Sequence, residues 1–229
     1  MWPHQPRSYG TKAVLVQRLA LALLLTFACA ASVGAAPENG GPVKIVVLGD
    51  SLSAGYGLPV EAAFPTKLAA ALKAKGIAAT VANAGVSGDT ASGGLERLGW
   101  SVPDGTDAVI VELGANDALR GIDPKVTQAA LDKILRQLEQ RRIAVLLAGM
   151  RAPRNMGTEY ARAFDAIYPA LASTHDVIFY PFILDGVAAD LKLNQRDGMH
   201  PNAAGVDVMV TRILPKVEEL IARVRALRG

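Results

Sequence analysis

Ser51, Asp197 and His200 are the residues whose types and settings suit nucleophilic chemistry. Ser51 leaves the apolar run Val43–Leu48 through Gly49-Asp50, and far along the chain stands the turn Asp197-Gly198-Met199-His200-Pro201-Asn202. A serine at the tight exit of a buried strand can expose its Oγ. A histidine with a nearby acid can take the proton of that hydroxyl. Elimination favours His200 over the other two histidines. His4 belongs to an N-terminal segment that reads as a leader, and His175 closes a helical pattern, where a cation is favoured. Asp197, three residues before His200 in a Gly- and Pro-bounded turn, can hold the ring nitrogen that faces away from a substrate. The bland alternatives are a helix-capping Ser51 and a turn histidine ahead of a helix capped by Asn202. Ser53, Ser87 and Ser92 compete with Ser51, but none follows a strand end so directly. The chain has no Gly-x-Ser-x-Gly elbow, and its acid and base share one C-terminal turn, which argues against a conventional α/β-hydrolase.

An oxyanion formed on attack needs donors aimed at it. The backbone N–H of Ser51 is one. Gly88, which lacks a side chain, can bring a second N–H close, and the Asn116 side-chain amide is a third. Each alone could be an ordinary turn residue; with Ser51 and His200 they form a set.

These residues need a scaffold that gathers loops from distant parts of the chain. Short apolar runs at Val43–Leu48, Thr80–Asn83, Ala108–Leu113, Ile143–Ala148 and, more weakly, Val177–Tyr180 read as strands. Three of them are almost wholly apolar, as parallel strands covered on both faces are. Helical patterns lie between and after them, at Thr66–Lys75, Gly94–Leu98, Pro124–Arg141, Glu159–His175 and Asn202–Arg225. The Pro124–Arg141 stripe is Val126, Ala130, Ile134, Leu135 and Leu138, and Pro215 should bend or divide the last helix. The alternation predicts an open, mostly parallel α/β sheet of five strands with helices on both faces. Ligands of such sheets bind beyond the carboxyl ends of the strands, where Gly49-Asp50-Ser51, Gly85–Asp89 and Gly114–Asp117 all fall.

Residues 1–36 carry Arg7, Lys12 and Arg18 but no acid, then an apolar stretch from Leu19 to about Ala31 and the small residues Ser32–Ala36. That order predicts a secretory signal peptide cleaved after Ala36, or after Ala35. Cys29 reads as a small apolar residue of the stretch. Its other reading, the acylated cysteine of a lipoprotein, is a poor fit to Thr26-Phe27-Ala28. Cleavage removes three of the 24 basic residues and none of the 21 acids, so the mature chain is balanced at 21 each. The pI of 9.1 is then largely a property of the leader. It makes no case for nucleic acid or an anionic membrane. The only cysteine goes too, so neither a disulfide framework nor a thiol nucleophile is expected. Residues 37–42 read as a flexible lead-in and 43–229 as one domain, with no span left after cleavage.

Four blocks, Gly49-Asp50-Ser51-Leu52-Ser53, Ser87-Gly88-Asp89-Thr90, Gly114-Ala115-Asn116-Asp117 and Asp197–Asn202, occur in the order found in the SGNH (GDSL) hydrolases. The chain resembles that family from about Val43 to Leu220, and most of all its branch of bacterial periplasmic thioesterases, lysophospholipases and arylesterases. Ala118–Gly121 and Ala166–Pro169 resemble that branch as well. The resemblance implies a three-layer α/β/α, flavodoxin-like fold. It also implies Ser51 as nucleophile, Gly88 and Asn116 as oxyanion donors with the Ser51 N–H, and Asp197 and His200 as acid and base. Ala115 and Met199 depart from the commoner residues at their places without touching these roles.

The chemistry expected is cleavage of acyl esters or thioesters through an acyl-enzyme, with no metal or organic cofactor. The substrate would be a small acyl ester, a thioester or a lysophospholipid, and a monomeric, periplasmic or secreted protein is expected. Leu119, Ile122, Met150, Pro153 and Met156 follow strand ends three and four and could line an acyl groove; plain packing explains them equally well. A carbohydrate O-acetylesterase is the alternative within the family, disfavoured by few aromatics (5%) to stack on sugars. A non-catalytic binding module with a relic site is the reading from another class.

Overall fold

The computed structural model of the protein describes Met1, Pro3 and residues 40–229. Apart from Met1 and Pro3, the predicted leader, His4 and Cys29 included, lies outside the described residues. Of the lead-in, Gly40 and Gly41 are exposed bends ahead of the first strand.

Five parallel strands form the sheet: β1 (Val43–Gly49), β2 (Ala79–Gly85), β3 (Ala108–Glu112), β4 (Ala144–Ala148) and β5 (Ile178–Tyr180). Their order is β2-β1-β3-β4-β5, so the chain reverses its direction of travel across the sheet between β1 and β3. That crevice is where an open α/β sheet binds its ligand. The central strands are buried on both faces: every residue of β3 is buried, and in β1 only Lys44 is not. β2 is the edge strand, alternately half-buried and exposed over its first four residues. That explains why its apolar signal was too short by one residue at its start and two at its end.

The helices are α1 (Ser51–Ala54), α2 (Phe64–Ala74), α3 (Ala91–Glu96), α4 (Leu98–Ser101), α5 (Ala115–Leu119), α6 (Pro124–Gln140), α7 (Thr158–Asp165), α8 (Ile167–Thr174) and α9 (Ala203–Arg228). In one layer α9 packs on α2; in the other α6 packs on α3 and α8. Leu131, Ile134, Leu135 and Leu138 of α6 and Val206, Met209, Ile213, Val217 and Leu220 of α9 are buried against the sheet. At roughly 25 cal/mol per Å² of apolar surface, this core is the main source of stability.

Three expectations need correction. The single helix expected at Glu159–His175 is two, because Pro169 has no N–H to continue a bond to Asp165 and its ring crowds that carbonyl. The break at Ala166 leaves Pro169 in the first turn of α8, where the missing donor costs nothing. Pro215 does not divide α9, which runs unbroken from Ala203 to Arg228. In α6, Val126 is exposed and Thr127 is buried in its stead, donating its hydroxyl to Asp117 Oδ1 at 2.9 Å. His175 does close a helix, and its buried ring is paired with Asp132 Oδ1 at 2.8 Å.

Candidate active site

Ser51 opens α1 immediately after β1, and the cap of that helix is Asp50. Asp50 is fully buried, and its Oδ1 accepts the Leu52 N–H at 3.0 Å. The short helix ends at Gly55, whose φ of 81° closes it in the left-handed region that favours glycine. Four residues are too few for a periodic signal, so sequence reading finds a turn here and not a helix.

The structure brings Ser51 and the Asp197–Asn202 turn together. His200 Nε2 lies 3.0 Å from Ser51 Oγ, and Nδ1 lies 2.6 Å from Asp197 Oδ2. The second carboxylate oxygen of Asp197 accepts the backbone N–H groups of His200, at 3.0 Å, and Met199, at 2.9 Å. Those two N–H bonds, then the imidazole, hold the Asp197 carboxyl down to about 2. An ionised acid at Nδ1 leaves Nε2 facing the serine as the acceptor. This chain of three groups can pass a proton from Oγ to the ring. Ser53 is buried, Ser87 is exposed, and neither they nor Ser92 meet a histidine in the bonds of this site.

Asn116 stands in α5 after Gly114, whose φ of 115° lets the chain turn off β3. A side chain at Gly114 would also collide with the hydroxyl of buried Tyr168, which donates to Leu113 O at 2.8 Å. Asn116 Nδ2 donates to Asp89 O at 2.9 Å and to Asp50 Oδ2 at 3.2 Å. Both of its amide hydrogens are therefore engaged at rest. Gly88 sits in the β2–α3 loop with φ 84°, and its carbonyl accepts from Arg120 at 2.6 Å. Among the described residues, the backbone N–H groups of Ser51 and Gly88 have no intramolecular acceptor. They are free to meet an external one.

Residues that the sequence did not single out hold these loops in register. Arg97 is buried and bonds Asp89 Oδ2 at 2.6 Å, Ala84 O at 2.7 Å and Gly49 O at 2.8 Å. It thereby joins the ends of β1 and β2 to the Gly88 loop. Gln195 donates from Nε2 to Tyr56 O at 2.8 Å and Pro201 O at 3.0 Å, and from its backbone N–H to His200 O at 2.7 Å. The Tyr56 ring lies 4.6 Å from the His200 ring, centre to centre. Burial pushes the Asp50 carboxyl up to about 6 against the pull of Leu52 N–H and His200, and pushes Glu112 beside it well above the carboxylate range.

A cavity of about 580 Å³ opens at Ser51, Asn116 and His200. Leu119, Met150 and Pro153 line it. Ile122 and Met156 do not. Ile122 offers its carbonyl to Tyr160, and the Met156 methyl packs over Gly121. Leu52, Ala152, Phe182, Leu184 and Ala188 complete the apolar wall, joined by Arg151 stacked over Phe182 at 4.9 Å. Three of these, Phe182, Leu184 and Ala188, come from the loop after β5, which has no apolar period to announce it.

Comparison with known proteins gives the family. An arylesterase of Vibrio mimicus is 40% identical over 179 residues, covering 78% of this chain and 87% of that protein. The thioesterase 1/protease 1/lysophospholipase L1 of Escherichia coli K12 is 40% identical over 181 residues, covering 79% and 81%. The crystal structure of AlinE4, an SGNH-hydrolase family esterase, superposes with a TM-score of 0.67 at 45% identity, covering 79% of this chain and 97% of that one. Residues 47–208, which hold Ser51, Gly88, Asn116, Asp197 and His200 alike, match the GDSL-like lipase/acylhydrolase family, and the chain belongs to it.

Proposed function

We propose that this chain is an exported serine hydrolase that cleaves acyl esters or thioesters through an acyl-enzyme on Ser51. The observation that carries the reading is the line Ser51 Oγ–His200 Nε2–Asp197 Oδ2, at 3.0 and 2.6 Å, on the floor of an apolar cavity. Ser51 Oγ attacks the acyl carbon while His200 Nε2 takes its proton, and Asp197 stabilises the imidazolium so formed. The carbonyl electron pair moves onto oxygen. The unspent N–H groups of Ser51 and Gly88 meet that oxyanion, and Asn116 joins them by giving up its longer bond, the one to Asp50. Collapse expels the alkoxide or thiolate, which leaves with the proton from Nε2. Water, deprotonated by His200, then repeats the attack on the acyl-serine and releases the acid.

The apolar wall of Leu119, Met150 and Leu184 favours an acyl chain longer than acetyl. An acetyl group would leave most of a cavity of about 580 Å³ unfilled. The relatives are named for arylester, thioester and lysophospholipid chemistry, which supports the same substrate class. Export rests on the residue pattern of 1–36.

The test is a series of p-nitrophenyl esters from acetate to laurate, run beside an acyl-CoA and a lysophospholipid, with wild type and Ser51→Ala. Activity that rises with chain length and vanishes in the variant is expected. Retained turnover in Ser51→Ala would refute the nucleophile, and a flat chain-length profile would refute the groove.

A further inference from the structure

Glu112 is the last residue of β3, and no part of its side chain reaches solvent. The four residues before it, Ala108 to Val111, are apolar and equally buried. A carboxyl among them carries a desolvation cost that a leucine at the same place would not. The cost is not fully offset, since Glu112 Oε1 is buried without any hydrogen-bond partner. A buried polar group left half-satisfied calls for a reason other than packing.

The other oxygen, Oε2, accepts the Ser53 hydroxyl at 2.6 Å and the Asp50 N–H at 3.4 Å. Asp50 directly precedes Ser51, and Ser53 follows it by two. The carboxyl therefore grips the nucleophile turn on both sides of its serine. Room for it comes from Gly49, which pairs with Glu112 across the sheet. A methyl group on Gly49 would collide with both the Ser53 hydroxyl and Glu112 Oε2. The missing Cβ and the buried acid belong to one arrangement.

We propose that Glu112 is a positioning residue for Ser51, its carboxyl oxygen holding Asp50 and Ser53 so that Oγ stays on line with His200 Nε2. The inference rests on the reading of Ser51 as nucleophile. Burial, and the negative charge of Asp50 next to it, favour the protonated form of Glu112. The turn then needs the accepting oxygen and not the charge, so glutamine should serve where alanine does not.

The experiment compares wild type, Glu112→Gln, Glu112→Ala, Ser53→Ala and Ser51→Ala for kcat and KM on p-nitrophenyl butyrate. Alongside it run the rate of phosphonylation by a fluorophosphonate and the thermal midpoint. A displacement of reacting groups on the order of 1 Å costs about 100-fold. Glu112→Ala is accordingly expected to lose about 100-fold in kcat and in phosphonylation rate, at a KM within about twofold and assayed well below its midpoint. Glu112→Gln should stay within about fivefold of wild type. Two results overturn the proposal: unchanged kcat in Glu112→Ala, or a Glu112→Gln as impaired as the alanine. If Glu112→Ala does not fold, Ser53→Ala decides, because it removes one of the two donors and leaves the acid. A fall in kcat at constant KM supports the proposal and an unchanged kcat refutes it. Should Ser51→Ala keep full activity, the nucleophile itself is wrong. Should Ser51→Ala be dead while Glu112→Ala is normal, only the positioning role is wrong.

Discussion

Asp50 should make this protein more stable as the pH falls from neutral, the reverse of ordinary acid denaturation. Its carboxyl is buried between Glu112, Asn116 and the start of α1, and burial moves it from 3.8 to about 6. The sign follows from proton uptake. Between the two values the folded chain binds a proton that the unfolded chain does not, so acid favours the fold. The contribution is complete below about 3.8 and is lost as the pH rises through about 6. At about 1.36 kcal/mol per tenfold change in affinity, it amounts to about 3 kcal/mol. Asp107, Asp132 and Asp197 shift the other way and oppose it, but only as the pH drops towards their unfolded values. Asp50→Asn separates the terms. The amide keeps an oxygen for the Leu52 N–H, as asparagine does at helix caps, but it turns a donor towards Asn116 Nδ2. That conflict changes absolute stability in the variant by an amount that does not depend on pH. The measurement is therefore a difference of slopes: urea midpoints of both proteins from about pH 7 to about pH 4, with m-values checked for constancy. Wild type should gain on the variant by up to about 1.4 kcal/mol per pH unit across this window. Glu112 adds a rise of its own to both proteins and does not cancel the difference. Parallel stability curves would refute the assignment of a raised value to Asp50.

Asp197→Asn should lower kcat by roughly 10²- to 10⁴-fold with KM nearly unchanged, because the wrong ring nitrogen of His200 is then presented to Ser51; steady-state kinetics on p-nitrophenyl butyrate checks it. Arg97→Leu should destabilise the fold by about 3–5 kcal/mol in urea, since it strands the Asp89 carboxylate and two carbonyls, those of Gly49 and Ala84, at the ends of β1 and β2. Met150→Trp should shrink the cavity and lower kcat/KM for laurate esters at least about tenfold more than for acetate. Ile122→Ala, outside the cavity, should leave that ratio within about twofold.

How much was legible beforehand depends on how local each signal was. The five strands and their parallel order follow from short apolar runs broken by glycine-rich loops, and β3 and β1 were read to within a residue. Ser51, Gly88, Asn116, Asp197 and His200 could be found because each sits in a polar turn just past a strand end or before a helix. Glu112, Arg97 and Gln195 could not. A charged residue at a strand or helix end, or a glutamine in a loop, reads as solvated, and only the packed structure turns those three inward. The helix break at Ala166 was written in Pro169, yet the apolar stripe on either side masked it. Ile122 and Met156 lie outside the cavity lining for a different reason: which side of a loop faces a cavity is decided by what packs beneath it.

Ser51 and His200 touch across 149 positions of sequence, one at the close of β1 and the other just ahead of the terminal helix. No stretch of the domain shorter than residues 51–200 holds both. A chain emerging from a ribosome therefore holds Ser51 without its histidine partner until residue 200 has been delivered. On the proposed reading, turnover in this molecule doubles as a report that these two distant segments have met.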